Sequence, residues 1–415
     1  MVLPAQFTAL LLILLLVGVQ MIPKMDLGAR LKPDDLLFVG SLFVLLPFMR
    51  RLPASVLAYL GTLVSLATVQ MMTLVLAGNA AGLLFVGRYT AYGLMVGVGA
   101  WLRSALTCRT GRTLWQFTGV FATVQLIVVL GQQAGLLPSI IDNSLGEATG
   151  RATGFASHPT ELGFLNLLLL TLAYQLTHSG RRTATFYAVV GALLAAIVAA
   201  DSRTSLVGGL VMVLTFEVAA RRGTMRARTV RWLLAPALIA GAAAVALQSE
   251  RIGDAFSGRN AAFTQKTLSD RKPVRKFEFI YPHFAPAGVD PSLYVRMTKW
   301  GSVLSDVEKK PLLGAGPGAY GVAVDGLYVR VLGESGIIGF ALYLLGLGII
   351  FYSARSYYYR VFFGIILVSS IFIDALFFSR FAYVFYLYAG LQMAGGARII
   401  ESLGINMRIL RVRFT

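Results

Sequence analysis

The chain has 415 residues, 57% of them hydrophobic and 13% charged, with a formal net charge of +18. A soluble domain would carry about a quarter charged residues, so most of this chain is expected to face lipid. One cysteine, Cys108, excludes an intrachain disulfide framework and a Cys-based metal site, and only three histidines occur, His158, His178 and His283.

An apolar stretch of about 20 residues crosses a bilayer as a helix, since lipid offers no partner to an open backbone group. Pro4–Ile22 is the first such stretch. It lacks a basic start and is followed by PKMD, so it reads as a retained helix rather than a cleaved signal peptide. Further spans are predicted at 35–49, 53–78, 81–102, 114–136, 160–177, 184–200, 204–220, 232–248, 326–352, 361–377 and 381–396. The total is about twelve, an all-α polytopic membrane protein. Runs such as Leu10–Val17 and Ala188–Ala200 do not alternate, which argues against a β-barrel. The organisation is then helices one to nine in 1–248, a long polar loop at 249–324, helices ten to twelve in 325–396, and a basic tail at 397–415.

Charge assigns the sides. Arg50 and Arg51, then Arg103, Arg109 and Arg112, then Arg181 and Arg182, then RRGTMRARTVR (221–231), then Arg355 and Arg360 follow every second span. Arg398, Arg408, Arg411 and Arg413 lie in the tail. Short loops rich in Arg and Lys stay cytoplasmic. Both termini are therefore expected inside and loop 249–324 outside, in a bacterial inner membrane with a periplasm-facing site. Long loops escape the charge rule, so the loop's own basic residues do not oppose this. Much of the net charge is a cytoplasmic rim beside anionic lipid. No compact basic module for nucleic acid is visible.

The arginines that topology does not explain are Arg151 in GEATGRATGFASHPTELG, Arg203 in ADSRTS, Arg380 in FFSRFAY and Arg88 in FVGRYTAYG. The long loop adds Arg251, Arg259, Arg271, Arg275 and Arg296. A plain account has each outer arginine reaching a lipid headgroup. The sharper account has several converge on one anion, since the guanidinium fork gives bidentate, charge-assisted bonds to a diphosphate. With no DxD, HExxH or Cys/His ligand set, arginine would stand in for a metal ion at the leaving group.

Outer carboxylates are fewer: Glu147, Glu161, Asp201, Asp325 and Glu334. Each is a candidate base for a sugar hydroxyl, and each has an ion pair as its plain alternative, Asp201 with Arg203 being the clearest. Nine residues separate Asp325 and Glu334, about two and a half helical turns, so one straight helix would not face both to one side. Asp374 falls inside the eleventh predicted span and calls for a polar partner, with Arg88 one choice. PLLGAGPGAYG (311–321) lacks the Lys and Ser/Thr of a P-loop and reads better as a turn re-entering the membrane. Tyr320 and Tyr328 are candidates to stack on a sugar, although most tyrosines, as in SYYYR and FAYVFYLY, suit an interfacial belt.

Four segments in order, GRATGFASHPTELG, ADSRTSLVGG, RMTKWGSVLSDVEKKPLLGAGPGAY and LYVRVLGESGIIG, resemble the O-antigen ligase/polymerase superfamily. The resemblance covers roughly residues 140 to 350. It implies a GT-C-like, metal-independent, inverting glycosyltransferase with no cofactor and with undecaprenyl-diphosphate-linked glycans as donor and acceptor. Chain-length regulators and flippases are further partners of the kind it suggests. Carried onto matching positions, it assigns the diphosphate to Arg151, Arg203 and Arg296; Arg380, from the charge pattern, and Tyr328, as a sugar-stacking candidate, are further expected substrate contacts. Ligases of the family carry His-Asn where this chain has Asp325-Gly326, and repeat-unit polymerases often carry Asp there. The expectation is therefore a polysaccharide polymerase with Asp325 as base, Glu161 or Glu334 being second choices. A ligase acting on lipid A core is the near alternative, and a transporter the distant one.

Overall fold

The computed structural model describes residue 40 and residues 52–78, 82–103, 108–138, 151–156, 158–177, 182–219, 258–270, 285–287, 289, 291–320, 324–377 and 379–394. Those residues form helices and turns, with no strand among them. Eleven α-helices are described: α1 Ala54–Ala77, α2 Leu83–Arg103, α3 Cys108–Gln133, α4 Pro159–Leu176, α5 Ala184–Ala199, α6 Arg203–Ala219, α7 Gly258–Asp270, α8 Pro291–Lys309, α9 Leu327–Ser353, α10 Tyr357–Ser369 and α11 Ser379–Ala394.

Four of them, α1, α2, α9 and residues Thr110–Gln133 of α3, are long and apolar enough to cross a bilayer. The 24 residues of α1 rise ~36 Å, more than the ~30 Å hydrocarbon core. Val64, Val75, Val120, Ile127, Val207 and Leu345 are more than half exposed on the outer faces. An exterior this apolar suits lipid rather than water. Predicted spans at 53–78, 81–102, 114–136 and 326–352 coincide with these four. Helices α4, α5, α6 and α11 stand at 160–177, 184–200, 204–220 and 381–396 but are shorter, 16 to 18 residues. The predicted spans 4–22 and 232–248, the span 35–49 apart from residue 40, the tail 397–415 and Glu147 lie outside the described residues.

One predicted span is corrected. The stretch 361–377 is not a single helix: α10 stops at Ser369, a turn follows, and Ala375–Phe377 form a short 3-10 turn. Asp374 therefore sits in a break, not within a span.

Local signals set the ends. Pro53 precedes α1, and Gly78 closes it in the left-handed region (φ 64°), its N–H bonding the Leu74 and Val75 carbonyls. Pro159 opens α4, and the His158 ring accepts the Thr160 N–H. Packing then pairs α2 with α11, α1 with α9, α3 with α5, and α4 with α5, α6 and α10. The α2–α11 crossing is close because Gly99 and Gly390 face it. A Cβ at Gly99 would lie 2.0 Å from the Leu387 carbonyl oxygen, and one at Gly390 1.9 Å from that of Val96.

The polar loop is not featureless. It contains α7 and α8, which pack on each other through Phe263 and Tyr294, 5.7 Å between rings, and α8 packs in turn on α9. The 258–270 stretch, unexplained by sequence, is thus a helix covering α8.

Candidate functional site

The site grows from a broken helix. Within α9, Gly336 has φ 61° and ψ −169°, a conformation open in practice to glycine alone. The break releases backbone groups that lipid could not satisfy. The turn of 311–316 supplies them. Ile337 and Ile338 donate to the carbonyls of Pro311 and Leu312 at 2.8 and 3.3 Å. Ala315 and Gly316 donate to the carbonyls of Gly333 and Glu334 at 2.8 and 3.0 Å. A Cβ on Gly336 would sit 2.3 Å from the Leu312 carbonyl, so the fit requires glycine on geometric grounds as well. From α1, Thr73 donates to Leu313 O at 3.2 Å and Gln70 to Ser335 Oγ at 3.2 Å, latching the turn in place. The glycine-rich segment thus re-enters the helical bundle, as its composition suggests, and it docks into a helix rather than around a phosphate.

Just before α9, Arg296 of α8 meets Asp325, Nε to Oδ2 at 3.0 Å, with side chains 26% and 47% exposed. The Trp300 indole N–H donates to the Asp325 carbonyl. Its ring covers Gly326 (φ 104°), where a Cβ would fall 2.7 Å away, and stacks on Phe372 at 6.1 Å. Lys299 lies beside this group. Burial lowers its ammonium below the usual lysine range, and the Asp325 charge acts in the opposite direction. Tyr328 is committed to the bundle, its hydroxyl donating to Leu367 O at 2.8 Å. Tyr320 donates to Asp306 at 3.4 Å, and burial pushes its phenol well above the usual range.

One helical turn deeper, Arg330 bridges two carboxylates. Its Nε lies 3.3 Å from Glu334 Oε1 and its Nη1 2.5 Å from Asp374 Oδ2. Glu334 is fully buried and also accepts the Tyr89 hydroxyl at 3.0 Å. The Arg330 guanidinium lies 5.8 Å from the Phe85 ring, and Arg88 approaches the same ring at 5.8 Å. The partner of Asp374 in the structure is thus Arg330. Tyr89, with Tyr59, Tyr92, Tyr343 and Tyr386, lines a cavity of about 30 Å³, room for a water or two.

The remaining candidates gather at neighbouring helix ends. Arg151 donates to the Ala200 carbonyl at 3.3 Å and to that of Asp201, and its Nε lies 3.7 Å from the Asp201 carboxylate. Asp201 thus forms an ion pair with Arg151, a partner that sequence proximity did not suggest. Asp201 holds φ 49°, and Arg203 opens α6 immediately after it. Glu161, 1% exposed, accepts the backbone N–H of Phe381 at 3.2 Å and so caps the start of α11. Arg380 is in the first turn of α11.

These make two clusters. The Arg296–Asp325 and Arg330–Glu334 pairs, with Tyr328 on the same helix start, form one; the other is the Arg151–Asp201 pair with Arg203 at the start of α6, where Gly163, two residues after Glu161, packs on Ser202 and Ser205. Residues 367–381 run between them, bonding Tyr328, Leu327, Arg330 and finally Glu161. All lie where α9, α11, α4 and α6 begin and α5 and α10 end, one end of the bundle. The opposite end carries Arg182, 4% exposed, which bonds Glu217 at 2.9 Å and lies over the Tyr174 ring at 4.5 Å. Among the described residues, no three His, Cys, Asp or Glu side chains gather as a metal ion would need.

The chain matches no family model and no curated protein. Sequence reasoning passed over Arg330, Trp300 and Tyr89. Arg330 did carry a signal: it stands four residues before Glu334 in RVLGE, the spacing of a helical ion pair. Trp300 and Tyr89 carried none.

Proposed function

We propose that the protein is a metal-independent, GT-C-like glycosyltransferase that joins undecaprenyl-diphosphate-linked repeat units into polysaccharide. The observation that carries this reading is the Arg296–Asp325 contact, a cation and a carboxylate held together yet partly open at one end of an apolar bundle. That end is the one the arginine pattern assigns to the outside of the inner membrane.

In this reading the acceptor sugar hydroxyl meets the Asp325 oxygen that Arg296 does not engage. Asp325 takes the hydroxyl proton as the sugar oxygen attacks C1 of the donor glycan. The C1–O bond to the diphosphate breaks, and its electron pair leaves with the undecaprenyl diphosphate. Configuration at C1 inverts. Arg296, with Arg151 and Arg203 from the neighbouring cluster, balances the charge that develops on the leaving diphosphate. Trp300 fixes Asp325 by its backbone rather than its carboxylate. Asp325 in place of a histidine favours a repeat-unit polymerase over a ligase with lipid A core as acceptor.

The test is a ladder assay with the purified protein in liposomes and a lipid-linked repeat unit. Wild type should yield long chains, and Arg296→Ala and Asp325→Asn none, at equal protein level. A full ladder from Asp325→Asn removes it as base. Single transfer to lipid A core, without chain growth, turns the assignment to ligase.

A transporter is the second reading. It is favoured by the break in α9 beside three buried charged groups, a feature of carriers with interrupted helices. Uptake of substrate into liposomes without any new glycosidic bond would support it.

A further inference from the structure

We propose that Phe372, set beside Trp300, is the seat of the acceptor's terminal sugar. Its ring packs on the apolar C–H face of the pyranose whose hydroxyl meets Asp325. The link to catalysis rests on the glycosyltransferase reading; the saccharide site itself does not.

The seat joins the Arg296–Asp325 pair through a continuous set of contacts. Arg296 and Trp300 are four residues apart on α8, so they share one face of it. Both hold Asp325: Arg296 Nε lies 3.0 Å from Oδ2, and the Trp300 indole N–H donates to the backbone carbonyl. Gly326 lets the indole lie against the chain, since a Cβ there would fall 2.7 Å from the ring. Phe372 continues the indole, with ring centres 6.1 Å apart and planes 14° apart. Rings so nearly parallel at that separation are offset rather than overlaid, and together they make a wider flat surface than either alone.

That surface is open. Phe372 is 49% exposed, so packing within the protein covers only half of it. Its level is fixed by the start of α9. The Leu327 N–H donates to the Ser370 carbonyl at 2.9 Å, two residues before Phe372, and Asp325 stands two residues before Leu327 with its carboxylate 47% exposed. An ion pair that open belongs in water or among headgroups, not in hydrocarbon. An aromatic shelf in that layer, beside one cation and one carboxylate, has the make-up of a sugar site. The rings take the C–H face, and the few placed polar groups orient the hydroxyls. Tyr328, by contrast, bonds Leu367 O through its hydroxyl and meets Phe340 edge-on at 6.3 Å. The ligand class is a pyranose with one face of axial C–H bonds.

The experiment uses the full chain in nanodiscs and, as probe, the oligosaccharide cut by mild acid from the lipid-linked repeat unit. Tryptophan emission should change saturably as the probe is added, and Trp300→Phe should abolish the change. Phe372→Ala should raise the apparent Kd about tenfold. Phe372→Tyr keeps the ring and should bind within about twofold of wild type, whereas Phe372→Leu keeps only apolar bulk and should resemble the Ala variant. No response in wild type, a response that survives Trp300→Phe, or equal binding by wild type and Phe372→Leu overturns the seat. A ring that faces lipid gives a different result: the added emission of Phe372→Trp is quenched by brominated acyl chains and ignores the probe, which also overturns it. In the ladder assay Phe372→Ala should raise the acceptor KM about tenfold and leave the rate at saturation within about twofold, a split that a folding defect would not give. An unchanged KM overturns the seat and leaves the polymerase reading standing. A wild type that makes no polymer yet binds the probe removes the polymerase reading and leaves the saccharide site standing.

Discussion

The Glu161 carboxylate accepts the backbone N–H of Phe381 at 3.2 Å, tying the start of α4 to the start of α11 across 220 residues of chain. A glutamate this buried, placed at a helix N-terminus, neutralises donors that have no intrahelical partner.

Glu161→Ala should therefore lower stability by about 1–3 kcal/mol, the cost of leaving a buried donor unpaired. Glu161→Gln keeps an acceptor oxygen and should lose less. The readout is the thermal midpoint in detergent, taken beside polymer formation. A Gln variant of full stability and no activity would instead make Glu161 the base.

Gly336→Ala places a methyl group against the Leu312 carbonyl at a positive φ. The conformational strain alone is about 1–3 kcal/mol, before the clash. The expected result is release of the 311–316 turn, seen as faster proteolysis there than in wild type. Unchanged cleavage would mean that the turn does not depend on the break.

Gly99→Leu and Gly390→Leu should each force α2 and α11 apart. Overfilling a packed contact costs about 1–3 kcal/mol, and here the obstacle is backbone, which cannot rotate away. Thermal midpoints should fall for both, and the double variant should cost less than the sum, because the two positions share one crossing. Full additivity would argue that the helices do not touch there.

Arg182→Met should cost about 3–5 kcal/mol by leaving Glu217 buried without its cation. Adding Glu217→Gln should recover much of that loss. The readout is a double-mutant cycle on thermal midpoints, and a coupling near zero would refute the buried pair.

The sequence made the helical character and several span positions legible, because apolar length is a strong signal. It also singled out Arg296 and Asp325, although as separate agents rather than as one ion pair. Three features stayed hidden. The break after Ser369 lies in SSIFIDALF, which holds no proline or glycine; it is set by long-range bonds, Leu327 N–H to Ser370 O and Arg330 to Asp374. Gly336 was visible as a glycine, yet a helix tolerates isolated glycines, so only its docked partner reveals the break. Arg182 read as part of a cytoplasmic rim, and the aromatic pocket that buries it comes from four other helical positions, Tyr174, Phe186, Tyr187 and Tyr358.

The order of the chain gives the α9 break a consequence for biogenesis. Residues 311–316 leave the ribosome before Gly336 does, so the carbonyls and amides that complete the interrupted helix already exist when it enters the bilayer. An insertion that pulled this turn away, or a fragment starting at α9, would present four unpaired backbone groups to lipid at once. The natural unit for expressing or dividing this protein therefore keeps α8, the turn and α9 together.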